Sequence, residues 1–415
     1  MKIACVGGGP AGLYFSILMR RQDPSHDITV YERNPAGSTY GWGVTYWGDL
    51  LHELHAGDPQ STRAIRDSSV RWSDGVAHIG DRTTTHHGDE GYGIGRHRLL
   101  EVLTERAESL GVRLEFGHEI AGEAELPEAD LVVAADGVRS SVRERHAGHF
   151  GTEVAYGRNK YLWLGTTKVF DSFTFAFVET PHGWIWCYAY GFSQDASTCV
   201  VECSPATWAG LGLDRAGETE GLALLEELFG QLLDGHRLIG RAHPGRAHPG
   251  RTDPGGTSTR WLNFPSLTNR TWSRGNLVLL GDAAHTTHYS IGAGTTLALQ
   301  DAISLAGALR GAEPGEFQLA PALAVYEKER KAALLSVQSA ARLSAQWYEN
   351  LPRYIHLPPH RMFALLGQRH SPLLPYVPPQ LYYRIDRAAE QLQALRRLKR
   401  WLGPRLARTL HARRG

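Results

Sequence analysis

Gly7, Gly9 and Gly12 stand at a spacing that can bind a phosphate, in the run Lys2-Ile-Ala-Cys-Val-Gly7-Gly8-Gly9-Pro10-Ala11-Gly12-Leu13. Ile3 to Val6 is an apolar run that reads as a buried parallel strand, and the apolar-periodic segment from Leu13 to Met19 reads as a helix. Between them Gly7 permits a tight turn, Gly9 puts no side chain between backbone and pyrophosphate, and Gly12 lets helix and strand pack closely. An anion would then lie on the positive end of the helix that opens at Pro10 and Ala11. A second strand, residues 27–31, runs into Glu32 and Arg33. Glu32 lies twenty residues beyond Gly12, where an acid can accept ribose hydroxyls. Alone, Glu32 would be a solvated strand end. Strand, turn, helix, strand and acid in this order predict a dinucleotide site.

The chain returns to this chemistry three times. Gly95-Arg96-His97-Arg98-Leu99-Leu100 opens an amphipathic helix to Leu110, and residues 129–137 form an apolar strand ending in Asp136-Gly137. Residues 275–285 repeat that form as a buried strand ending in Gly281-Asp282, followed by Ala283-Ala284-His285. Ser290-Ile291-Gly292-Ala293-Gly294-Thr295 then runs into a helix over 297–309, and glycines before a helix leave N–H groups free for an anion or a ring carbonyl. From Tyr156 to Glu202 the pattern changes to period two: Tyr161, Trp163; Phe173, Phe175, Phe177; Trp184, Trp186, Tyr188, Tyr190; Thr198, Val200, Glu202. This predicts an inserted antiparallel sheet with an aromatic face, either core against a helix or the wall of a flat pocket.

Composition limits the rest. With 415 residues, 42% hydrophobic and 21% charged, the chain is long enough for two or three domains and ordinary for a globular protein. The N-terminal glycines interrupt any secretory apolar core and no run of eighteen apolar residues follows, so a cytoplasmic protein without a membrane span is expected. Cys5, Cys187, Cys199 and Cys203 fit neither a disulfide framework nor a metal site, so no metal is expected. The tandem Arg241-Ala-His-Pro-Gly245 and Arg246-Ala-His-Pro-Gly250 reads as an expanded surface loop. Residues 384–415 carry ten Arg and Lys against Asp386 and Glu390, a basic tail best read as a solvated helix face, with an acidic partner as the alternative; no nucleic-acid motif accompanies it.

Taken together, the glycine fingerprint with Glu32, Arg96 with Leu99 and Leu103, Asp136-Gly137, and Gly281-Asp282-Ala283-Ala284-His285 with Gly292, Gly294 and Asp301 resemble the single-component FAD-dependent aromatic hydroxylases. The resemblance covers residues 1 to about 310. Tyr156-Gly-Arg-Asn-Lys-Tyr161, Ser197-Thr198, Val201-Glu202-Cys203 and Ser290-Ile291-Gly292 look like the subgroup with salicylyl-CoA and anthraniloyl-CoA hydroxylase domains and the violacein-pathway hydroxylase. It implies an α/β fold: a Rossmann-like FAD-binding domain (1–70, 94–156 and 266–340), an inserted antiparallel substrate-binding sheet (71–93 and 157–265) and a C-terminal helical segment (341–415). It also implies FAD as cofactor, NADH or NADPH as transient reductant, and O2 added at the flavin C4a, with one oxygen passed to an electron-rich ring. The substrate class it points to is an aryl-CoA, a carrier-bound aryl thioester or an indolic intermediate of secondary metabolism.

On that resemblance Glu32 holds the adenosine ribose, Asp282 the ribityl chain, and the N–H groups of Gly292 to Thr295 the flavin carbonyls. Arg96 lies near the pyrophosphate or ribityl chain, and Asp136 acts through a loop joining both halves of the site or serves as a structural turn. Two departures mark this chain. His288-Tyr289 replaces a Pro-Pro pair, and Trp42, in the segment 34–44 whose glycines and turn-formers read as a mobile loop, replaces an arginine. His288, Tyr289 and Trp42 therefore become the candidates beside the reacting ring, His288 either as an assisting base or as a packed histidine. Trp163, Trp186, Tyr188, Tyr190 and Thr198 are the candidate pocket wall. A halogenase would share the fingerprint, but Trp184-Ile185-Trp186 lacks the Ile-Pro that completes its motif. A flavin reductase or a non-catalytic flavin-binding protein remains the alternative.

Overall fold

The computed structural model describes residues 1–39, 41–120, 125, 128–240 and 260–391. The duplicated Arg-Ala-His-Pro-Gly loop, Tyr40 and the tail beyond Gln391 lie outside the described residues.

Lys2–Val6 is buried along four of its five residues and pairs in parallel with Asp27–Glu32 on one side and Leu131–Ala134 on the other. The complete order is Ser273–Arg274, Leu277–Leu279, Leu131–Ala134, Lys2–Val6, Asp27–Glu32, Arg113–Phe116, parallel except for the antiparallel first pair. Burial on both faces explains the unbroken apolar text of the central strands. Helix Pro10–Gln22 packs against Arg96–Ser109 and Gly294–Ala308, so the three predicted helix starts belong to one layer.

The second sheet has eight strands in the order Leu238–Ile239, Lys160–Thr166, Ser197–Cys203, Gly183–Gly191, Phe173–Thr180, Val70–Ile79, Arg82–Gly95, Gly43–Tyr46. It is antiparallel except where Phe173–Thr180 runs parallel to Val70–Ile79, Phe175 opposite Ala77. Period two sorts its side chains between two cores. Leu162, Leu164, Cys187, Cys199, Val201 and Cys203 meet Leu225, Phe229 and Leu233 on one face. Phe175, Phe177, Trp186, Tyr188 and Val200 meet Trp347, Tyr348, Phe363 and Leu366 on the other. A third, two-stranded sheet pairs Thr152–Tyr156 with Pro265–Asn269.

Residues 50–66, which read from sequence as one helical stretch, form two helices, Gly48–Gly57 and Pro59–Asp67, broken where Asp58 caps the second by accepting from Ser61 N. Buried Asp58 also receives Arg106 Nε and Nη2, each at 3.0 Å, and pairs with Arg21 at 2.9 Å. Helix Glu316–Glu349 links the two cores, with Leu323 and Tyr326 in that of the first sheet and Trp347 and Tyr348 in that of the second. Among the described residues no helix is long and apolar enough to cross a membrane.

Candidate active site

The glycine turn is shaped by contacts rather than by composition alone. Gly7 has φ +112°, and a Cβ there would lie 2.3 Å from the Ala135 carbonyl oxygen. A Cβ on Gly12 would lie 2.2 Å from the Gly7 carbonyl oxygen and 2.9 Å from Cys5 Sγ. Gly9 differs, since nothing lies within 4 Å of its Cβ position. Two glycines therefore close strand on helix and the third faces open space. Helix Pro10–Gln22 starts there with Gly9 as N-cap and no side-chain cap, so its first N–H groups are available to an anion.

Around this turn a groove gathers Gly7, Gly8, Gly9, Glu32, Arg33, Arg96 and Asp136. Glu32 is already oriented: Oε2 accepts from Gly8 N at 2.8 Å, and Oε1 accepts from Asn34 N at 2.9 Å and Asn34 Nδ2 at 2.6 Å. Asp136 Oδ1 is buried without a hydrogen-bond partner among the described residues, while Oδ2 has only long contacts of 3.4 Å to Ser141 Oγ and Val142 N. A buried carboxylate oxygen left without a donor fits a site that receives a hydroxyl or N–H from a ligand.

Asp282 sits at the end of the neighbouring strand, on a surface open to solvent but walled by protein. That wall raises its carboxyl by desolvation, against the favourable charges of His285 and Arg96. Behind it, His285 Nε2 meets Asp301 Oδ2 at 2.8 Å and Arg330 Nε donates to Asp301 Oδ1 at 2.7 Å, tying the Gly-Asp turn to two helices. Gly292 ends a short helical turn, and helix Gly294–Ala308 begins without a side-chain cap. Thr296 Oγ1 is buried there without a partner among the described residues. Open N–H groups at Gly294 and Thr295 can donate to carbonyl oxygens and favour negative charge beside them. The open glycine, the two uncapped helix starts and the orphaned Asp136 oxygen all fit FAD.

Loop 41–43 is built onto the second sheet. A Cβ on Gly41 would strike the Trp163 ring at 2.5 Å, and one on Gly165 would strike the Trp42 ring at 2.4 Å. Gly43 N donates to Thr198 Oγ1 at 2.8 Å, Tyr190 OH donates to Gly43 O at 2.8 Å, and Arg96 N donates to Trp42 O at 2.8 Å. The structure thus brings Trp42, Trp163, Tyr190 and Thr198 together and links them to Arg96. Trp186 and Tyr188 sit deeper, Trp186 stacked on Tyr348 at 5.8 Å. Indole Nε1 of Trp163 and of Trp186 is buried without a partner among the described residues.

Glu202, which no sequence motif marks as a site residue, is 1% exposed. Oε2 accepts from Tyr188 OH at 2.9 Å and Tyr289 OH at 2.8 Å, and Oε1 accepts from Asn159 Nδ2 at 2.8 Å. Burial raises its carboxyl despite these donors. The available signal was a charge at an inward position of the strand Thr198, Val200, Glu202. Through Glu202, Tyr289 is anchored to the sheet.

His288 is buried, and desolvation pushes its imidazole down to about 4. It is therefore neutral at physiological pH and a weak base. Between pH 6.5 and about 4 the unfolded chain binds a proton that the folded chain refuses, so His288's contribution is complete above pH 6.5 and lost as pH falls. The full loss is about 3 kcal/mol. Denaturant unfolding of His288→Asn should show a flatter pH profile over that interval; an unchanged slope would mean His288 titrates normally.

A family model described as an FAD binding domain matches residues 251–341. Salicyloyl-CoA 5-hydroxylase of Streptomyces sp is 36% identical over 86% of the chain, which spans 66% of that longer protein. The 3-hydroxy-4-methyl-anthranilyl-[aryl-carrier protein] 5-monooxygenase of Streptosporangium sibiricum is 37% identical, covering 85% of this chain and 90% of its own. Protodeoxyviolaceinate monooxygenase of Chromobacterium violaceum is 31% identical, covering 90% and 96%. Among solved structures, 2-methyl-3-hydroxypyridine-5-carboxylic acid oxygenase shares the fold with TM-score 0.64 at 18% identity, covering 85% of this chain and 91% of its own. The chain belongs to the family of FAD-dependent aromatic monooxygenases, with FAD as cofactor and a reduced nicotinamide and O2 as co-substrates.

Proposed function

We propose that the substrate is an electron-rich aromatic ring carried as a thioester on CoA or a carrier protein, with an indolic ring as the second class, hydroxylated at the expense of NADH or NADPH. The observation that carries this reading is the likeness to three proteins whose names place their substrates in these classes. The uneven charge agrees with it, since the basic residues after 383 would attract a CoA phosphate or an acidic carrier.

On this reading residues 1–70, 94–156 and 266–340 form the FAD-binding domain, 71–93 and 157–265 the substrate-binding domain, and 341–415 the C-terminal helical segment with its basic tail, residues 241–259 and 392–415 lying outside the described residues. When bound and reduced, FAD supplies the activation of O2 and the transfer of one oxygen to the ring. The protein does the rest. Glu32 takes the adenosine ribose, the N–H groups after Gly9 take the pyrophosphate, Arg96, Asp136 and Asp282 hold the linking chain, and the N–H groups from Gly292 to Thr295 steady negative charge on the ring system. On the same reading Trp42, Trp163, Trp186, Tyr188, Tyr190 and Thr198 form the wall beside the substrate and keep water from it, Trp186 and Tyr188 packed behind against Tyr348 and Tyr190 and Thr198 acting through the loop they grip. His288 and Tyr289 complete that wall from the turn before Gly292.

Reductant consumption in air by FAD-loaded protein should rise with salicylyl-CoA, anthraniloyl-CoA or a tryptophan-derived indole, and hydroxylated product should match the reductant used. Equal rates with and without every substrate, with peroxide as sole oxygen product, would favour a reductase.

A further inference from the structure

The turn that carries His288 is tied to the C-terminal part of the chain by hydrogen bonds that none of the roles above uses. Arg369, beyond helix Pro359–Gly367, donates from Nε to Ser344 Oγ at 2.9 Å and from Nη2 to the Ser290 carbonyl at 2.9 Å. Ser344 Oγ, on helix Glu316–Glu349, lies 2.8 Å from Ser290 Oγ, which lies 2.9 Å from His288 Nδ1. The arginine end of this run fixes its direction. An arginine has only donors, so Ser344 accepts from Arg369 and keeps its own proton for Ser290. At the other end the Ser290 backbone N–H donates to His288 Nδ1 at 3.3 Å. At 3.3 Å that contact is long and favours an unprotonated Nδ1 without fixing it, so the Ser290 hydroxyl at 2.9 Å, donating at the end of the run, is what settles the tautomer.

We propose that Arg369 is a positioning residue which, through Ser344 and Ser290, holds His288 as the neutral imidazole protonated on Nε2, so that the ring meets the substrate as a hydrogen-bond donor. Burial supports this, since it opposes a second proton on the ring. Nε2 has no protein partner among the described residues. Around the ring stand Tyr289, stacked at 4.4 Å, and the edge of Phe264 at 5.3 Å. Gly157 flanks the Nε2 side, where a side chain would come into van der Waals contact, its Cβ 3.8 Å from Nε2. The complementary ligand atom is an oxygen acceptor, such as the carbonyl of an aryl thioester or a phenolic oxygen. The role toward substrate rests on the hydroxylase reading; the tautomer does not.

The test uses the FAD-loaded full chain labelled with 15N-histidine, the His288 signal being the one lost in His288→Asn. At neutral pH the wild type should show a single neutral form protonated on Nε2. Arg369→Met and Ser290→Ala should turn it into a mixture of tautomers, with kcat/KM lower by roughly tenfold, the size of one lost hydrogen bond. Arg369→Lys, which keeps a donor for Ser344, should restore the single form. If Arg369→Met does not fold, Ser344→Ala removes only the relay hydroxyl and should give the same mixture. A wild-type ring protonated on Nδ1, or an unchanged tautomer in the folded variants, overturns the proposal. Because the tautomer is read without turnover, that failure is distinct from failure of the hydroxylase reading.

Discussion

Gly12→Val should purify without FAD and lose more than about 3 kcal/mol of stability, at the severe end of single substitutions. The added Cβ alone would lie 2.2 Å from the Gly7 carbonyl oxygen and 2.9 Å from Cys5 Sγ. The first is backbone in the turn that joins the central strand to its helix, so relief requires moving the helix off the sheet. Gly9→Ala provides the contrast. Nothing lies within 4 Å of that Cβ, so stability should stay within about 0.5 kcal/mol of wild type while FAD is held less tightly. Flavin absorbance per chain and the denaturant midpoint read both effects. A Gly12→Val protein with full FAD and an unchanged midpoint would show that this turn is not the cofactor cradle.

Removal of the Glu202 carboxylate is the second large effect. Glu202→Ala leaves the hydroxyls of Tyr188 and Tyr289 and the amide of Asn159 buried without their acceptor, a loss on the order of 3 kcal/mol or more. Hydroxylation should fall as well, because Tyr289 begins the turn that leads to Gly292. Glu202→Gln keeps one acceptor atom and should be milder. Its comparison with wild type also has a defined pH sign. Burial raises the Glu202 carboxyl, so the folded state holds the proton more tightly than the unfolded one, and ionisation costs stability as pH rises above the ordinary carboxylate range. Wild type should therefore gain on Glu202→Gln as pH is lowered from 7 to 5 in urea titrations. A Glu202→Ala protein as stable as wild type would mean the three donors have other acceptors.

These two sites also mark how far the sequence could be read. The glycine turn was legible because a local backbone demand leaves a local trace, and the strands beside it were legible because burial on both faces keeps them apolar. The break at Asp58 had its trace too, a capping acid before Pro59, obscured by the helical periodicity on either side. The pairing of Gly43–Tyr46 with the strand Arg82–Gly95 left none, since a four-residue strand finds its partner through tertiary contact. For the same reason loop 34–44 reads as mobile from its glycines and turn-formers, whereas Trp163, Tyr190 and Thr198 grip residues 41–43 from strands far along the chain. Glu202 showed as a misplaced charge, but its three partners come from positions 159, 188 and 289, which no local pattern connects.

The most direct measurement is oxygen tracing in FAD-loaded protein supplied with NADPH or NADH, 18O2 and the aromatic substrate that most stimulates reductant use. One 18O atom in the product for each reductant consumed, and none when the label is in water, is the expected result. Reductant consumption with an unlabelled, unhydroxylated aromatic would contradict a monooxygenase and leave a flavin reductase on the same fold.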